Sequence, residues 1–543
     1  MSDLGAEAAA TRGGGGRSMG RAHPRALELV VIVPIVVLSA LGAIIGMQLI
    51  VTLGISANTS IIGALIAMVF ARIPIEILRR FKAIDRQNLL QSAVSSATFG
   101  AANSLMIPIG VPFAMGMPDL IIPMLIGATL AMFIDGTMLY GLFNTRAFPA
   151  SGTWPAGVAT AEALWAGDQG GKKAAYLGIG IVGGVGGSIM GIPMSAAGVA
   201  FIGNVWALSM FGLGLLIRGY SDPVFGLDIN AQFIPHGFMI GAGIVALYQV
   251  ARQIASTRAE ALAAGDGAGL EDPENSAMKT FLFGGFGAYI LVALLLTLLA
   301  GVTSDMSLPM LIGFLLFAAM AAYVHELIVG IAAMHSGWFP AFAVALITLI
   351  IGILCGFPPA ALGLLVGYSA ATGPAFADMG YDLKTGYMIR GENADPQYER
   401  DGRRQQYYAA MIGFLVAAAV VAVSYQSFFS QNLIPPVDRV YASTIAAGAS
   451  SEIAVQLVIW AIPGALLQWF GGSGKQLGVL LSTGMLINYP IAGWTVLGAL
   501  AVRVVIERVC GNTRRSEMSA FAGGLIAGDA LYAFFNSTLK LGK

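Results

Sequence analysis

Apolar stretches of about 18 or more residues recur from residue 28 to the C-terminus, and each is long enough to cross a bilayer as a helix. The stretches are continuous rather than alternating, which excludes an outer-membrane β-barrel. Only 11% of the 543 residues are charged, against roughly 25% in soluble domains. The expected fold is an all-α polytopic membrane protein. Candidate spans fall at 28–53, 58–78, 91–115, 118–143, 173–197, 198–217, 233–251, 280–300, 309–331, 338–356, 358–375, 407–428, 443–470, 476–490, 491–508 and 517–537. Several are short or interrupted by Gly and Pro, which gives about 14 to 16 crossings.

Composition removes several function classes. With 29 basic and 29 acidic residues the formal charge is zero, and nothing points to nucleic acid. Cys355 and Cys510 are the two cysteines, too few for a disulfide framework or a cysteine-based metal site. Residues 1–26 are polar and glycine-rich and read as a disordered cytoplasmic tail. The apolar run behind them is too long for a signal-peptide core. No GxxxxGK[ST] occurs and no insertion is large enough for a nucleotide-binding domain, so transport driven by the chain's own ATP hydrolysis is not expected. Glycine, at 71 residues, is nearly twice its usual share of about 7% and suits close helix packing or helices broken around a substrate.

Two hydrophilic stretches punctuate the chain. Residues 252–279 read as a linker between an N-terminal membrane half, 27–251, and a C-terminal half, 280–543; residues 376–406 read as a cytoplasmic loop. Arginine clusters at the N-terminus, Arg72–Arg86, Arg390–Arg404 and Arg503–Arg515 should all be cytoplasmic. Sixteen full crossings would put 376–406 outside, so one earlier segment, 144–166 or 178–197, is expected to be re-entrant. A faint echo links the halves: G-I-x-A-x-x-S at Gly54–Ser60 and Gly330–Ser336, then S-A-x-x-G at Ser96–Gly100 and Ser369–Gly373. Repeated halves with broken helices are the usual architecture of secondary transporters.

A carboxylate inside a membrane helix costs roughly 2.5–3.5 kcal/mol on insertion scales and needs a partner or a task. Asp135, Glu162, Glu326, Glu452 and Asp529 are the candidates, with Asp135 and Asp529 deepest in apolar sequence. Each could bind a coupling proton or a substrate amine; the alternative is a hydrogen-bonded structural carboxylate. His325-Glu326 lacks the second histidine of H-E-x-x-H, and His335 is ten residues on, so a catalytic zinc is not expected. A proton-carrying His335, or a histidine bonded to a helix-end carbonyl, both fit; His236 carries the same two possibilities. Phe148–Glu162 has two prolines and two glycines in its first ten residues and cannot be a regular spanning helix. Its small hydroxyl residues suit binding of an anion, or simply a tight connection. Ser151 lacks the surroundings of a rhomboid-type nucleophile.

Four segments carry a family resemblance. Asp382-Leu383-Lys384-Thr385-Gly386-Tyr387, with Gln405-Gln406 after it, resembles the D-L-K-T-G-[YH] segment of the oligopeptide transporter (OPT) superfamily, which includes the yellow stripe-like metal-chelate transporters. Gly157–Glu162 is similar to the core of its F-P-x-G-x-A-x-A-E segment, with extra residues ahead. Gly524–Leu531, containing Gly528 and Asp529, resembles G-L-I-A-G-E-A-L with Asp for Glu, and Asn88-Leu89-Leu90-Gln91-Ser92-Ala93 resembles N-x-x-Q-[ST]-x-A. The segments appear in family order and span nearly the whole chain. The resemblance implies about 16 helices built from internal repeats and a cation-coupled, usually proton-coupled, symporter of small peptides or peptide-like metal chelates, with no cofactor. The proton or substrate candidates are Asp135, Glu162, Asp529, His335, Glu326 and Gln91. Asp382 and Lys384, with Thr385 and Gly386 beside them, are expected to orient the cytoplasmic end of a gate by a charge pair or helix cap. The expected location is a prokaryotic plasma membrane. A polytopic membrane enzyme is the reading from another class, and it lacks a clustered catalytic set.

Overall fold

The computed structural model describes residues 22–54, 59–72, 76–145, 147–152, 154–168, 172–263, 273–336, 341–449, 451–472, 475–510, 514, 517–526, 528–529 and 532. Among these residues every extended element is a helix, beside one isolated bridge between Phe143 and Phe148. Helices satisfy their own backbone, which is what a chain without water around it requires. Nine of those described are long and apolar enough to cross a membrane, by length and composition, and five shorter apolar helices accompany them.

The first ten helices are α1 (Leu29–Leu53), α2 (Thr59–Arg72), α3 (Ile84–Phe99), α4 (Ile107–Ala114), α5 (Ile121–Leu142), α6 (Pro155–Asp168), α7 (Lys172–Ile189), α8 (Met194–Ile202), α9 (Val205–Phe225) and α10 (Ile234–Ala263). After α11 (Pro273–Leu299) come α12 (Leu308–Ser336), α13 (Ala341–Leu354), α14 (Pro359–Ala371), α15 (Pro374–Ile389) and α16 (Pro396–Phe429). The last are α17 (Pro436–Ala449), α18 (Ser451–Gly471), α19 (Leu477–Leu486) and α20 (Pro490–Cys510), followed by a helical segment at 517–526.

The series of lengths runs twice. Helices α2 and α13 each have 14 residues. So do α6 and α17, both of which open on proline. The short pieces α8 and α19 have 9 and 10, and α9 and α20 have 21 each. The α3–α4 and α14–α15 units each extend over 31 residues and are the most enclosed spans, 83% and 94% buried over their most apolar window. They form the centre of the largest apolar core.

Both central units are interrupted, for different local reasons. Pro108 has no N–H to give the helical ladder, and a π-helical turn at Gly100–Met106 widens the backbone just before it. Between α14 and α15, Gly373 has φ +95°, a conformation that suits glycine, and Pro374 starts the new helix. The S-A-x-x-G echoes fall at these two interruptions. Residues 55–58 of the other echo lie outside the described residues.

Glycines set the closest helix approaches. A Cβ at Gly524 would lie 2.3 Å from the Leu177 carbonyl and one at Gly528 2.3 Å from that of Ile181. The C-terminal segment therefore rests directly on α7, as small residues permit in membrane bundles.

Two expectations are corrected, the loop at 376–406 and, over residues 22–26, the disordered tail, since His23 and Ala26 are buried and Ala26 N bonds to Gln405. Residues 376–406 are not a hydrophilic loop: α15 and α16 run through them, leaving a short turn near Arg390–Asp395. Asp378, Asp382 and Thr385 are fully buried there, so their polarity faces an interior polar cluster, which hydropathy reads as a loop. The 252–279 linker is also largely helical, since α10 continues to Ala263 and α11 begins at Pro273; 264–272 lie outside the described residues. Of the suspected re-entrant segments, 178–197 breaks after Ile189 at a turn through Gly191 (φ +78°), and 144–166 contributes the 14-residue α6. At 1.5 Å per residue that helix is roughly 21 Å long, short of a hydrocarbon core of about 30 Å.

Candidate functional site

The α14–α15 break delivers a free backbone N–H to the protein interior, and a carboxylate receives it. Gly373 N donates to Asp135 Oδ2 at 2.6 Å, with Asp135 fully buried on α5. The first turn of a helix concentrates unpaired N–H groups and positive dipole, which suits an anion. The other oxygen, Oδ1, meets the Tyr289 hydroxyl of α11 at 2.6 Å. That hydroxyl also contacts Glu326 Oε2 of α12, while Glu326 Oε1 has no hydrogen-bond partner among the described residues. Tyr368 of α14 donates to the Tyr289 carbonyl at 2.9 Å and fixes its backbone.

Hydrogen counting assigns this trio one extra proton. A phenol has one hydrogen to donate, yet Tyr289 Oη lies between two carboxyl oxygens. Asp135, which also accepts from Gly373, is the better-served anion. With Tyr289 donating to Asp135, the second contact requires a protonated Glu326 as donor to Tyr289. Two ionised carboxylates flanking one hydroxyl would leave an uncompensated charge in a dry interior.

A second buried cluster lies further along α15. Asp382 Oδ1 accepts from Gln91 Nε2 of α3 at 2.5 Å and from Ser60 Oγ of α2 at 3.4 Å; Oδ2 faces Ser96 Oγ at 3.4 Å. One turn earlier, Asp378 Oδ1 accepts from Ser95 Oγ at 2.9 Å and lies 3.5 Å from the same Ser60 Oγ. Gln406 of α16 closes this cluster, donating from Nε2 to Ser92 Oγ at 2.9 Å and to the Asp382 carbonyl at 2.8 Å. Its own oxygen accepts from Arg390 Nη1 at 2.7 Å, and Arg390 holds Glu399 bidentately at 2.7 and 3.0 Å. A Cβ at Gly386 would strike the Gln406 amide oxygen at 2.0 Å, so glycine there admits the lock.

At the α15–α16 end, outside the spans, the segment ahead of α1 docks on these helices. Ala26 N donates to Gln405 Oε1 at 2.9 Å. The His23 ring lies 5.2 Å from that of Tyr398, whose hydroxyl donates to Asp85 at 2.7 Å. Burial first, and the Arg390 charge second, hold the His23 imidazole below its ordinary pKa.

The predicted residues thus divide. Asp135 and Glu326 come together, and Gln91 joins Asp382. Asp382 and Lys384 make neither a charge pair with each other nor a cap, against expectation. Lys384 Nζ instead donates to the Ala150 carbonyl at 2.8 Å, and Thr385 Oγ1 to that of Gly157 at 3.0 Å. Both pin the 148–157 connection, where a Cβ at Gly157 would sit 2.5 Å from the Tyr381 carbonyl. Side chains repeat every 3.6 residues on a helix, so Asp382 and Lys384 point to different neighbours. Asp529 is remote from both clusters: it accepts from Ser188 Oγ of α7 and from Ser195 N, 2.7 Å, at the start of α8. His325 is buried with Nδ1 3.1 Å from Ser369 Oγ, and Glu452 is exposed. The side chains of Glu162 and His335 lie outside the described residues. Tyr289, Asp378, Ser60 and Ser95 were missed. A lone tyrosine or serine in an apolar helix gives no signal, whereas Asp378, four residues before Asp382, was legible as a same-face pair.

A helical membrane protein whose central broken helices enclose buried carboxylates has the form of a secondary transporter. The sequence model of the OPT oligopeptide transporter protein family matches residues 29–251 and 226–540. The chain belongs to the OPT family and is an oligopeptide-type transporter. A search of individually curated proteins returns no match.

Proposed function

We propose that the chain is a proton-coupled symporter of small peptides or peptide-like compounds across a prokaryotic plasma membrane, and that it catalyses no reaction. The supporting observation is the Asp135–Tyr289–Glu326 hydrogen count: the closed arrangement needs one proton more than the ionised residues supply. A site whose occluded form requires a proton, and whose opening to water releases it, links conformation to the proton gradient. The doubled series of helix lengths supports two repeat-related halves, roughly 27–251 and 280–543, that rock about the central broken helices.

The test is uptake into proteoliposomes under an imposed pH gradient, with labelled di- to hexapeptides and with ferric and nickel chelates. Gradient-driven accumulation of a peptide is expected. Accumulation of chelates alone would move the assignment to metal-chelate uptake. Passive flux without accumulation of either cargo would sink the symporter assignment.

A further inference from the structure

The Asp378–Asp382 cluster offers more ligands than a proton needs. Around the two carboxylates stand the hydroxyls of Ser60, Ser95 and Ser96 and the amides of Gln91 and Asn88. Asn88 donates from Nδ2 to Gln91 Oε1 at 3.1 Å, which sets its amide beside the Gln91 that serves Asp382, and its Oδ1 is buried with no hydrogen-bond partner among the described residues. The Tyr381 hydroxyl, within electrostatic reach of Asp378, is likewise buried and without one. Asn88 is 1% and Tyr381 5% exposed. Orphaned oxygens at such depth are costly, about 1–3 kcal/mol each, unless a ligand uses them.

Among the described residues the hydrogen-bond partners of Asp382 are all neutral, and the acidic group beside it is Asp378. The basic side chains of the same helix point elsewhere, Lys384 to Ala150 and Arg390 to Glu399 and Gln406. Carboxylate, amide and hydroxyl oxygens without nitrogen or sulfur ligands are the donor set of hard cations. A divalent ion calls for about six to eight oxygen ligands at close range and two compensating charges. A monovalent ion needs fewer ligands and one net negative charge, which the two carboxyls carry when they share a proton. The carboxyls and hydroxyls are buried between α2, α3, α15 and α16, so a ligand there would have to be a dehydrated ion rather than a peptide.

We propose that this cluster is an alkali-cation site, taking Na+ or an ion of similar size between Asp378, Asp382, Asn88 and the Ser60 and Ser95 hydroxyls. It rests on the transporter assignment only for its purpose, a second coupling ion, and not for its existence. The site lies on the same helix as the break that serves Asp135, so ion and proton would bias one moving element.

Thermal unfolding of the full-length protein in detergent, with choline chloride holding ionic strength constant, tests the site directly. Binding to the folded form raises the midpoint with the logarithm of one plus the ratio of ion concentration to Kd. Wild type should show a rise with NaCl that choline does not reproduce, together with saturable 22Na+ binding. Asp382→Asn, whose amide can still meet Gln91 and Ser96, should fold and lose both. Should that variant not fold, Asn88→Ser serves, with 22Na+ affinity expected to fall at least tenfold. Equal effects of sodium and choline, sodium binding retained in the variants, or a response confined to methylammonium or to calcium would each overturn the proposal. None of these measurements needs a pH gradient or a cargo, so failure of the symporter assay leaves the ion result standing, and the reverse.

Discussion

Replacing Glu326 by Gln tests the hydrogen count most directly. In the occluded trio the protonated Glu326 donates to Tyr289 Oη, which donates to Asp135. A glutamine offers a permanent N–H at the same place, so the trio closes without binding a proton. The fold should lose only about 1–3 kcal/mol, because one hydrogen bond replaces another and only the second amide N–H is left unpaired. Coupling should be lost. For one proton per cargo, each unit of pH gradient is worth 1.36 kcal/mol, about a tenfold accumulation. The variant should therefore bring internal and external cargo only to equality, while still exchanging labelled for unlabelled cargo across the membrane. Proteoliposome uptake and exchange, measured side by side, separate the two activities. Accumulation by the variant equal to wild type, with unchanged pH dependence, would refute the assignment of the proton to this trio.

Three further outcomes follow from named contacts. Asp135→Asn should also be tolerated, its oxygen serving Gly373 N and its amide donating to Tyr289, which then donates to an ionised Glu326. The Asp135→Asn/Glu326→Gln double variant has one hydrogen too many, and chemical or thermal unfolding should show it about 1–3 kcal/mol less stable than the sum of the singles. Arg390→Ala strands the buried Glu399 and should cost about 3–5 kcal/mol, whereas Arg390→Met with Glu399→Leu should recover much of that. His23, depressed by burial, binds its proton more readily undocked than docked. Docking of the N-terminal segment is therefore fully present above the ordinary imidazole pKa of about 6.5 and weakens as pH falls below it. Limited trypsin cleavage near Arg21 and Arg25 should accelerate between pH 7.5 and 5.5 in wild type and show no such step in His23→Gln.

The apolar runs made the helical membrane fold legible, because crossing a bilayer demands length and hydropathy that the sequence displays openly. The same criterion misplaced α15. Asp378, Asp382, Lys384 and Thr385 make that helix look like a loop, although each is hydrogen-bonded to another buried group, and window averages contain no information about partners. Asp135 and Glu326 were visible as expensive charges, but their pairing was not. It depends on Tyr289 arriving from α11 and on the Gly373 N–H exposed by a break, contacts spanning 154 and 238 positions in the chain. Asp529 shows the opposite error: conspicuous in an apolar segment, it ties α7 to the start of α8 rather than joining either central cluster.

Helix α15 touches every cluster on which the proposed coupling rests. Its first N–H groups hold Asp135, its middle turns carry Asp378 and Asp382 against α2 and α3, and its last residues anchor through Arg390 to α16. A rigid helix transmits displacement along its whole length, so opening at any of these three contacts loads the other two. Protonating the trio holds the N-terminal end in place; filling the oxygen-lined cluster holds the middle. Each ligand then raises the population of the same closed state, and their affinities must be linked reciprocally. Sodium at a saturating concentration should therefore make the trio bind its proton more tightly, shifting the pH midpoint of uptake upward. Arg390→Met with Glu399→Leu, which frees the far end of α15, should weaken that shift without removing either site. A midpoint that ignores sodium in wild type would mean that the two clusters act on separate elements and that α15 is a passive scaffold.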